Sequence, residues 1–464
     1  MNAKQPKNVG KIIEVLAKYI DSLSFNTLPH TVIQRAKTVT LDTLGVLLAA
    51  SAKKYQASDL VVKFIQSVGG RPESTIVRTS LKTSCVNAAF ANGTIANVIE
   101  LDDSHNASTA HTAAVIIPAA LAVSEKMGVD GKSFIRAIVI GYDAGCRVCL
   151  SLDPAVLYKR GFHPTAIGGC FGAAAAAASI LNLDKERLIN ALGLAGCQAS
   201  GLMAWETEPK QMSKSFQTGI ASRNGVTAAL LAQMGFAGPP DIFEGKYNIF
   251  NAFSGQSKPE ELIKELGVRF EIMGTSLKRH ACCRFIHAAL DGFLEIIEYN
   301  HINPKDIKQI LLEFPKSAVP VIDNNELLSH NAQYMIAVAA VDKKIKVDQI
   351  FEDKRRDCRV LDLYKRVKVL GNLELEKLFF ERGKRSSIIE VITQDGRKLK
   401  KRVDCPKGDP ENFLSQEEVK EKFIDLARQV ISIEQGEEIV ELVDKLEKIN
   451  NMKYLGALLR LKTL

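Results

Sequence analysis

The chain has few aromatic residues: Phe, Trp and Tyr make up 6% of its 464 residues, and there is a single Trp. Proteins that bind single-stranded nucleic acid stack bases on aromatic side chains, and all-β folds favour aromatic and β-branched residues. Proline is also scarce, with 15 residues. Alanine, the strongest helix former, is plentiful. We therefore expect a mainly helical protein that binds no nucleic acid.

Long uncharged apolar runs are absent, and residues 1–7 lead into an amphipathic pattern instead of an apolar signal core. The nine cysteines are odd in number and scattered, which favours reduced thiols over a disulfide framework. Cys146 and Cys149 are spaced as C-x-x-C, but they lie inside a helical apolar pattern, so we interpret them as core thiols. The sequence predicts a soluble, cytoplasmic protein without a membrane partner.

The charge is mildly basic: 61 Lys and Arg against 53 Asp and Glu give a net charge of +8. This balance favours small anionic substrates and does not demand a polyanion. The one dense basic run, residues 397–402, follows the turn dipeptide Asp395-Gly396 and a β-rich stretch. We interpret the run as the solvated face of a hairpin strand.

Two types of pattern divide the chain, which is too long for one simple core. From Val9 to about residue 255, apolar residues recur at helical spacing; beyond about residue 256, short strands alternate with helices. The expected strands are Val268–Met273, Ile307–Phe314, Arg366–Leu370 and the hairpin Ser387–Val403. The expected helices of this second part are Cys283–Glu298 and Leu328–Val341.

A glycine cluster, Gly168–Gly172, precedes six alanines at the centre of the helical part. It has no preceding strand and no G-x-G-x-x-G spacing, so helix packing is favoured over a nucleotide site. Further on, Pro406–Pro410 is predicted to be a linker, and Ser415 with Glu418 forms a capping box that opens the final helices.

The predicted fold is therefore mainly α. A large all-helical domain is built from both chain ends, residues 1–268 and 408–464. A smaller α/β lid domain, residues 269–407, is inserted between them.

Four groupings hold polar residues in small or apolar surroundings. The first runs from Glu100 to His105 and is followed by His111; its three carboxylates and two imidazoles either face solvent as a capping cluster for the helix at Thr112 or line a cavity. A metal held by Asp102, Asp103, His105 and His111 in a hydrolase is one alternative.

The other three groupings centre on single histidines and lysines. His163 precedes a proline that opens a helix, where free backbone N–H groups attract anions. Lys214 is either a surface residue with its stem buried or a fixed cation for a carboxylate. Lys278 and His287 lie near the predicted domain junction, a common place for a ligand cleft.

Together these groupings resemble the MmgE/PrpD family, whose members include 2-methylcitrate dehydratase, cis-aconitate decarboxylase and iminodisuccinate epimerase. The resemblance covers nearly the whole chain and is carried by Glu100–Ser104 with His111, Gly161–Pro164, Met212–Lys214 with Gly219 and Ala221, Gly235–Gly245, and Lys278 with Cys282, Cys283 and His287. Gln217 stands where the family often has His. The resemblance implies a homodimer, catalysis without a metal or organic cofactor, and a small di- or tricarboxylate substrate.

Carried over by position, the family's site implies catalytic roles for Asp102, His111, His163 and Lys214 and substrate binding by Ser104, Lys278 and His287. The resemblance predicts a cofactor-independent lyase, foremost a dehydratase of the 2-methylcitrate type. A cis-aconitate-type decarboxylase or an iminodisuccinate-type epimerase are alternatives that use the same proton-transfer groups. A non-catalytic carboxylate-binding protein is an alternative from another class.

Overall fold

The computed structural model describes residues 11–461 apart from 209, 211, 352 and 353. The predicted start of the helical pattern at Val9 and the last three residues of the predicted helical domain lie outside this part of the chain. Within it the protein is mainly α, with small sheets only, as the sequence predicts. No described helix combines the length and the apolar character needed to cross a bilayer.

The described residues divide into two compact units. The first comprises residues up to 98, 108–275 and 416 onward; the second comprises 99–107 and 276–415. The predicted boundaries at 268/269 and 407/408 therefore differ from the boundaries of these units. The sequence also missed the exchange of segment 99–107, which was predicted to belong to the helical domain but groups with the second unit.

The first unit is built almost entirely of helices. It also contains a short antiparallel strand pair, Ser74–Thr75 with Lys82–Thr83. Its α-helices are Ile12–Ser22, His30–Ala50, Gln56–Val68, Cys85–Ile95, Ala113–Met127, Gly131–Leu152, Pro154–Lys159, Pro164–Ile180, Lys185–Gln198, Met212–Gln233, Ile249–Phe253, Gln416–Ala427, Ile433–Asp444 and Lys453–Leu458.

Small residues bring the central helices of this unit into backbone contact. A Cβ added at Gly168 would lie 2.3 Å from the Cys149 sulfur and 2.5 Å from the Gly145 carbonyl oxygen. The predicted packing role of the glycine cluster is thereby confirmed, because a larger side chain there would push the helices Gly131–Leu152 and Pro164–Ile180 apart.

The second unit contains a four-stranded sheet in the order Val367–Asn372, Ile307–Pro315, Ser387–Thr393, Lys398–Val403. The first two strands are parallel, and the other two pairings are antiparallel. Its α-helices are His287–Tyr299, Val319–Ile322, Ala332–Asp342, Asp348–Phe351, Cys358–Tyr364 and Leu373–Arg382. Two further short strands are Ser104–His105 and Thr275–Ser276, the latter at the boundary of the units.

Alternation of apolar and polar residues explains the hairpin in this sheet. Along Ser387–Thr393 every second residue is fully buried, whereas along Lys398–Val403 exposed basic residues alternate with half-buried ones. The basic run is thus the solvated face of an edge strand, as predicted, and its charges also discourage pairing with another chain.

The predicted strand Val268–Met273 is wrong. Val268 is exposed, and a 3₁₀ helix covers Glu271–Gly274 instead. Two side chains of a neighbouring helix take the backbone groups that a strand would use: Asp143 accepts the Glu271 N–H at 2.7 Å, and Arg147 donates to the Arg269 carbonyl at 2.7 Å. Side-chain partners therefore replace a ladder here.

Candidate active site

His163 is held in a defined orientation in the first unit. It precedes Pro164, the first residue of the helix Pro164–Ile180, and its extended backbone follows from the restriction that proline places on the preceding residue. The ring is buried, with 1% of the residue exposed, and Nδ1 lies 2.9 Å from Oε1 of Gln217.

Gln217 also determines which nitrogen of His163 carries the proton. Its Nε2 donates to the Leu202 carbonyl at 2.9 Å, so its Oε1 faces the imidazole. An amide oxygen only accepts, hence we assign the proton of the neutral ring to Nδ1 and the lone pair to Nε2. His163 is thus arranged to exchange a proton at Nε2.

Lys214 lies in the first turn of the helix Met212–Gln233 and is buried, with 4% exposed. This burial contradicts the surface alternative, and the role of Lys214 as a fixed cation for a carboxylate stays a prediction. Its Nζ is 5.0 Å from the centre of the Trp205 ring, and the His163 ring centre is 5.7 Å from the same indole. His163 and Lys214 therefore both contact the Trp205 ring, and the ammonium of Lys214 is attracted to the indole face.

His111 also belongs to the first unit. Its backbone N–H donates to Thr165 Oγ1 at 3.0 Å, which ties it to the first turn of the helix that follows His163. The helix predicted at Thr112 begins at Ala113, and Thr112 makes no side-chain capping bond.

In the second unit, Asp102 and Ser104 are buried, with 1% and 4% exposed. Glu100, in the same segment, has a left-handed backbone with φ of 55°. Its carboxylate accepts from Lys278 Nζ at 3.2 Å and its carbonyl accepts from the same atom at 2.9 Å. Glu100 and Lys278 thus form a buried ion pair.

The segment that carries Lys278 is irregular and is tied down at both ends. The Leu277 N–H donates to the Gly408 carbonyl at 2.9 Å, and the Cys283 N–H donates to the Ser329 carbonyl at 2.8 Å. Gly408 has a φ of 98°, and a Cβ there would lie 2.0 Å from the Leu277 oxygen, so this approach requires glycine.

His287 opens the helix His287–Tyr299 and is fully buried. Burial, followed by the charges of Arg284, His280 and Lys278, holds the pKa of His287 well below its usual range. The imidazole is therefore neutral. Its Nε2 faces the Cys282 carbonyl at 3.4 Å, and its Nδ1 has no hydrogen-bond partner among the described residues.

The neighbouring His280 contacts the carboxylate of Asp291. Its Nε2 lies 2.8 Å from Asp291 Oδ1, and its ring centre is 5.4 Å from that of His287. Burial would raise the pKa of Asp291, but the contact with His280, the Lys407 N–H and the charge of Arg279 together lower it. His280 thereby belongs to a structural pair.

Two buried polar residues of the second unit, Arg284 and Asp409, are not among the site residues that the sequence predicts. Arg284 is 6% exposed and Asp409 is 4% exposed, and Arg284 Nη2 donates to Asp409 Oδ1. Burial would raise the pKa of the Cys283 thiol, but the adjacent His330 imidazole lowers it. The predicted linker Pro406–Pro410 is wrong: this loop belongs to the second unit and buries Asp409. The prolines and the glycine are typical of a linker. Hydrogen bonds from the distant residues Leu277 and Arg284 to Gly408 and Asp409 show instead that the loop is packed into the unit.

No three His, Cys, Asp or Glu side chains come together in the described part of the chain in a way that could hold a metal ion. The structure thus shows no such group formed by Asp102, Asp103, His105 and His111. Of the predicted site residues, the first unit contains His111, His163 and Lys214, and the second contains Asp102, Ser104, Lys278 and His287.

Comparisons with known proteins agree along almost the full length. The model of the MmgE/PrpD N-terminal domain matches residues 14–262, and that of the C-terminal domain matches residues 280–448. A cis-aconitate decarboxylase-like protein of Aspergillus oryzae is 29% identical and aligns over 97% of each chain. Cis-aconitate decarboxylases of Aspergillus terreus and Homo sapiens are each 26% identical, covering 96% and 97% of this chain and 95% and 94% of their own.

Proposed function

The chain belongs to the MmgE/PrpD family, and from that premise we propose that it is a carboxy-lyase that decarboxylates cis-aconitate or a closely similar unsaturated tricarboxylate. The supporting observation is the end-to-end similarity to proteins named cis-aconitate decarboxylase. The dehydratase that the sequence analysis placed first gives way to the decarboxylase alternative, because the decarboxylase name is the one these relatives carry.

Decarboxylation breaks the bond between a carbon atom and its carboxylate, which leaves as CO₂. The bonding electron pair stays on the carbon skeleton, and a proton must then be delivered to carbon. The reaction needs a fixed cation near the developing negative charge and a proton carrier near the carbon.

Lys214 and His163 suit these two roles. The Lys214 ammonium is buried, where a fixed charge acts more strongly than in water. His163 carries its proton on Nδ1 toward Gln217, so its Nε2 is the atom that exchanges a proton with the substrate. We propose that His111 assists in proton transfer and that Asp102 orients a histidine.

The remaining predicted residues, Ser104, Lys278 and His287, are proposed to bind the substrate: Ser104 by a hydrogen bond, Lys278 through a carboxylate, and His287 as a neutral imidazole. No metal or organic cofactor enters the proposal. The homodimer, the cytoplasmic location and the lid role of residues 269–407 stay predictions of the sequence analysis.

A product assay tests the proposal. Incubation of the purified protein with cis-aconitate should release CO₂ and give new olefinic proton signals in NMR spectra. Lys214→Met, which keeps the aliphatic stem and removes the charge, should lower kcat/KM, whereas Lys210→Met, at an exposed lysine close by, should not.

Two acids serve as comparison substrates: 2-methylcitrate and an amino-dicarboxylate. Loss of water from the first, or inversion of the second, without release of CO₂ from cis-aconitate would refute the decarboxylase and favour the dehydratase or the epimerase.

A further inference from the structure

Arg284 has hydrogen-bond donors without an acceptor among the residues that the structure describes. It is the first residue of the 3₁₀ helix Arg284–Ile286 and is 6% exposed. Nη2 donates to Asp409, but neither Nε nor Nη1 has a hydrogen-bond partner among the described residues. A buried donor without an acceptor is costly, and native proteins rarely leave one unpaired.

The guanidinium group of Arg284 is held in a fixed position by Asp409. Asp409 Oδ1, which accepts from Arg284, also accepts from Ser276 Oγ and, at 3.1 Å, from Asn106 Nδ2. Asp409 is itself buried. Because its anchor is fixed by two further donors, the unused N–H groups of Arg284 keep a defined position within the second unit.

The neighbouring groups show which of the two cations is available to a ligand. Lys278 directs its ammonium at both the carbonyl and the carboxylate of Glu100. Arg284 has one nitrogen engaged and two open. Arg284 therefore adds unpartnered donors beside Lys278, whose ammonium is shared with Glu100.

His287 adds an acceptor close to these donors. The charge of Arg284 helps to lower the pKa of this imidazole, which is neutral. Because Nε2 faces a carbonyl oxygen, the proton is assigned to Nε2 and the lone pair to Nδ1. No described group donates to that lone pair. The unpartnered donors of Arg284 suit an acceptor group that is no part of the chain, whereas the lone pair of His287 would need a separate donor.

We propose that Arg284, positioned by Asp409, binds a carboxylate group of the substrate within the second unit. A carboxylate offers acceptor oxygens only and matches the open N–H groups of a guanidinium, a pairing that lysine does not reproduce. This inference rests on the proposed function, in which the substrate is a tricarboxylate. It adds a binding residue that the sequence analysis did not contain.

The test uses tricarballylate, a saturated tricarboxylate with the carbon skeleton of aconitate, in isothermal titration calorimetry with the full chain. Arg284→Lys keeps a positive charge beside Asp409 but removes the open donors, and it should raise the Kd about 10- to 100-fold. The matched control Arg279→Lys, at a side chain of the same segment that is 53% exposed, should leave the Kd within about twofold.

An unchanged Kd in a folded Arg284→Lys protein, or no measurable binding to the wild type, would overturn the proposal, and ordered water would then satisfy the open donors. A crystal structure of the wild type with tricarballylate decides the question if the variant does not fold: a carboxylate oxygen should lie within hydrogen-bond distance of Arg284 Nε or Nη1, and a ligand bound elsewhere refutes the assignment.

The two proposals fail in different ways. Tricarballylate binding that depends on Arg284, in a protein that releases no CO₂ from cis-aconitate, would refute the decarboxylase alone. Release of CO₂ with Kd and KM unaffected by Arg284→Lys would refute the carboxylate subsite alone.

Discussion

Each unit buries an arginine, and the two arginines are treated differently. Arg147 of the first unit is fully buried; its two Nη atoms donate to the carbonyls of Lys264, Glu261 and Arg269 and pair with Glu271 at 3.4 Å, while its Nε has no partner among the described residues. Arg284 of the second unit has one acceptor, Asp409, and two open nitrogens.

The difference distinguishes a structural arginine from one that waits for a ligand. Around Arg147, backbone carbonyls and an acid supply the acceptors, so the group holds the loop 261–271 onto the helix Gly131–Leu152. Around Arg284, Asp409 is the one acceptor that the described residues supply. Burial and charge are alike in the two cases, and so is the unpartnered Nε. The two arginines differ at Nη1, which donates to carbonyls in Arg147 and has no partner among the described residues in Arg284.

The largest effect is expected where the satisfied cluster is broken. Arg147→Met should lower the free energy of unfolding by about 3–5 kcal/mol, because Glu271 and three carbonyls lose a buried cation. Catalytic constants of the folded fraction should stay near those of the wild type. Urea denaturation and steady-state kinetics measure the two quantities.

The control for this experiment is Arg187→Met, at a half-exposed arginine of the same unit that pairs with Asp184, for which we expect a change below about 1 kcal/mol. A stable Arg147→Met protein with reduced kcat would reverse the comparison and give Arg147 a functional role.

An intermediate effect should appear as a pH dependence of the same cluster. Asp143 accepts from Tyr19 and from the Glu271 N–H, and burial raises its pKa from 3.8 to about 7. Between these values the folded protein keeps a proton that the unfolded chain releases. Its contribution to the free energy of unfolding therefore falls as the pH rises through this window, by up to about 1.4 kcal/mol per pH unit.

Asp143→Asn removes this titration and keeps an acceptor for Glu271. Denaturation of both proteins between about pH 5 and 8 should show that the wild type loses stability relative to the variant as the pH rises. Parallel profiles would mean that Asp143 has no raised pKa in the folded state.

The smallest effect is expected at the open arginine. Arg284→Lys should change the free energy of unfolding by about 1 kcal/mol or less, since the charge beside Asp409 remains and the deleted donors have no acceptor among the residues that the structure describes. Chemical denaturation at one pH measures the change. A loss as large as that of Arg147→Met would make Arg284 a structural residue and remove the contrast between the units.

Local patterns determined much of the fold. Helical spacing, the small residues at Gly168–Gly172 and the alternation along Ser387–Thr393 each depend on neighbours within a few positions, and the structure bears them out. The strand predicted at Val268–Met273 and the linker predicted at Pro406–Pro410 failed because distant side chains and backbone groups, such as Asp143 and Leu277, bind those segments.

The sequence by itself determined the mainly helical class, the family and a set of polar residues that included His163, Lys214 and Lys278. Only the tertiary structure decided their states: that Lys214 is buried against Trp205, that Gln217 sets the proton position of His163, and that Glu100 pairs with Lys278. Arg284 and Asp409 lie 125 residues apart in the chain, and their contact depends on the whole course of the second unit. Helix formation is a property of neighbouring residues, whereas hydrogen-bond satisfaction is a property of the packed interior, which is why the open donors could be counted only in the folded protein.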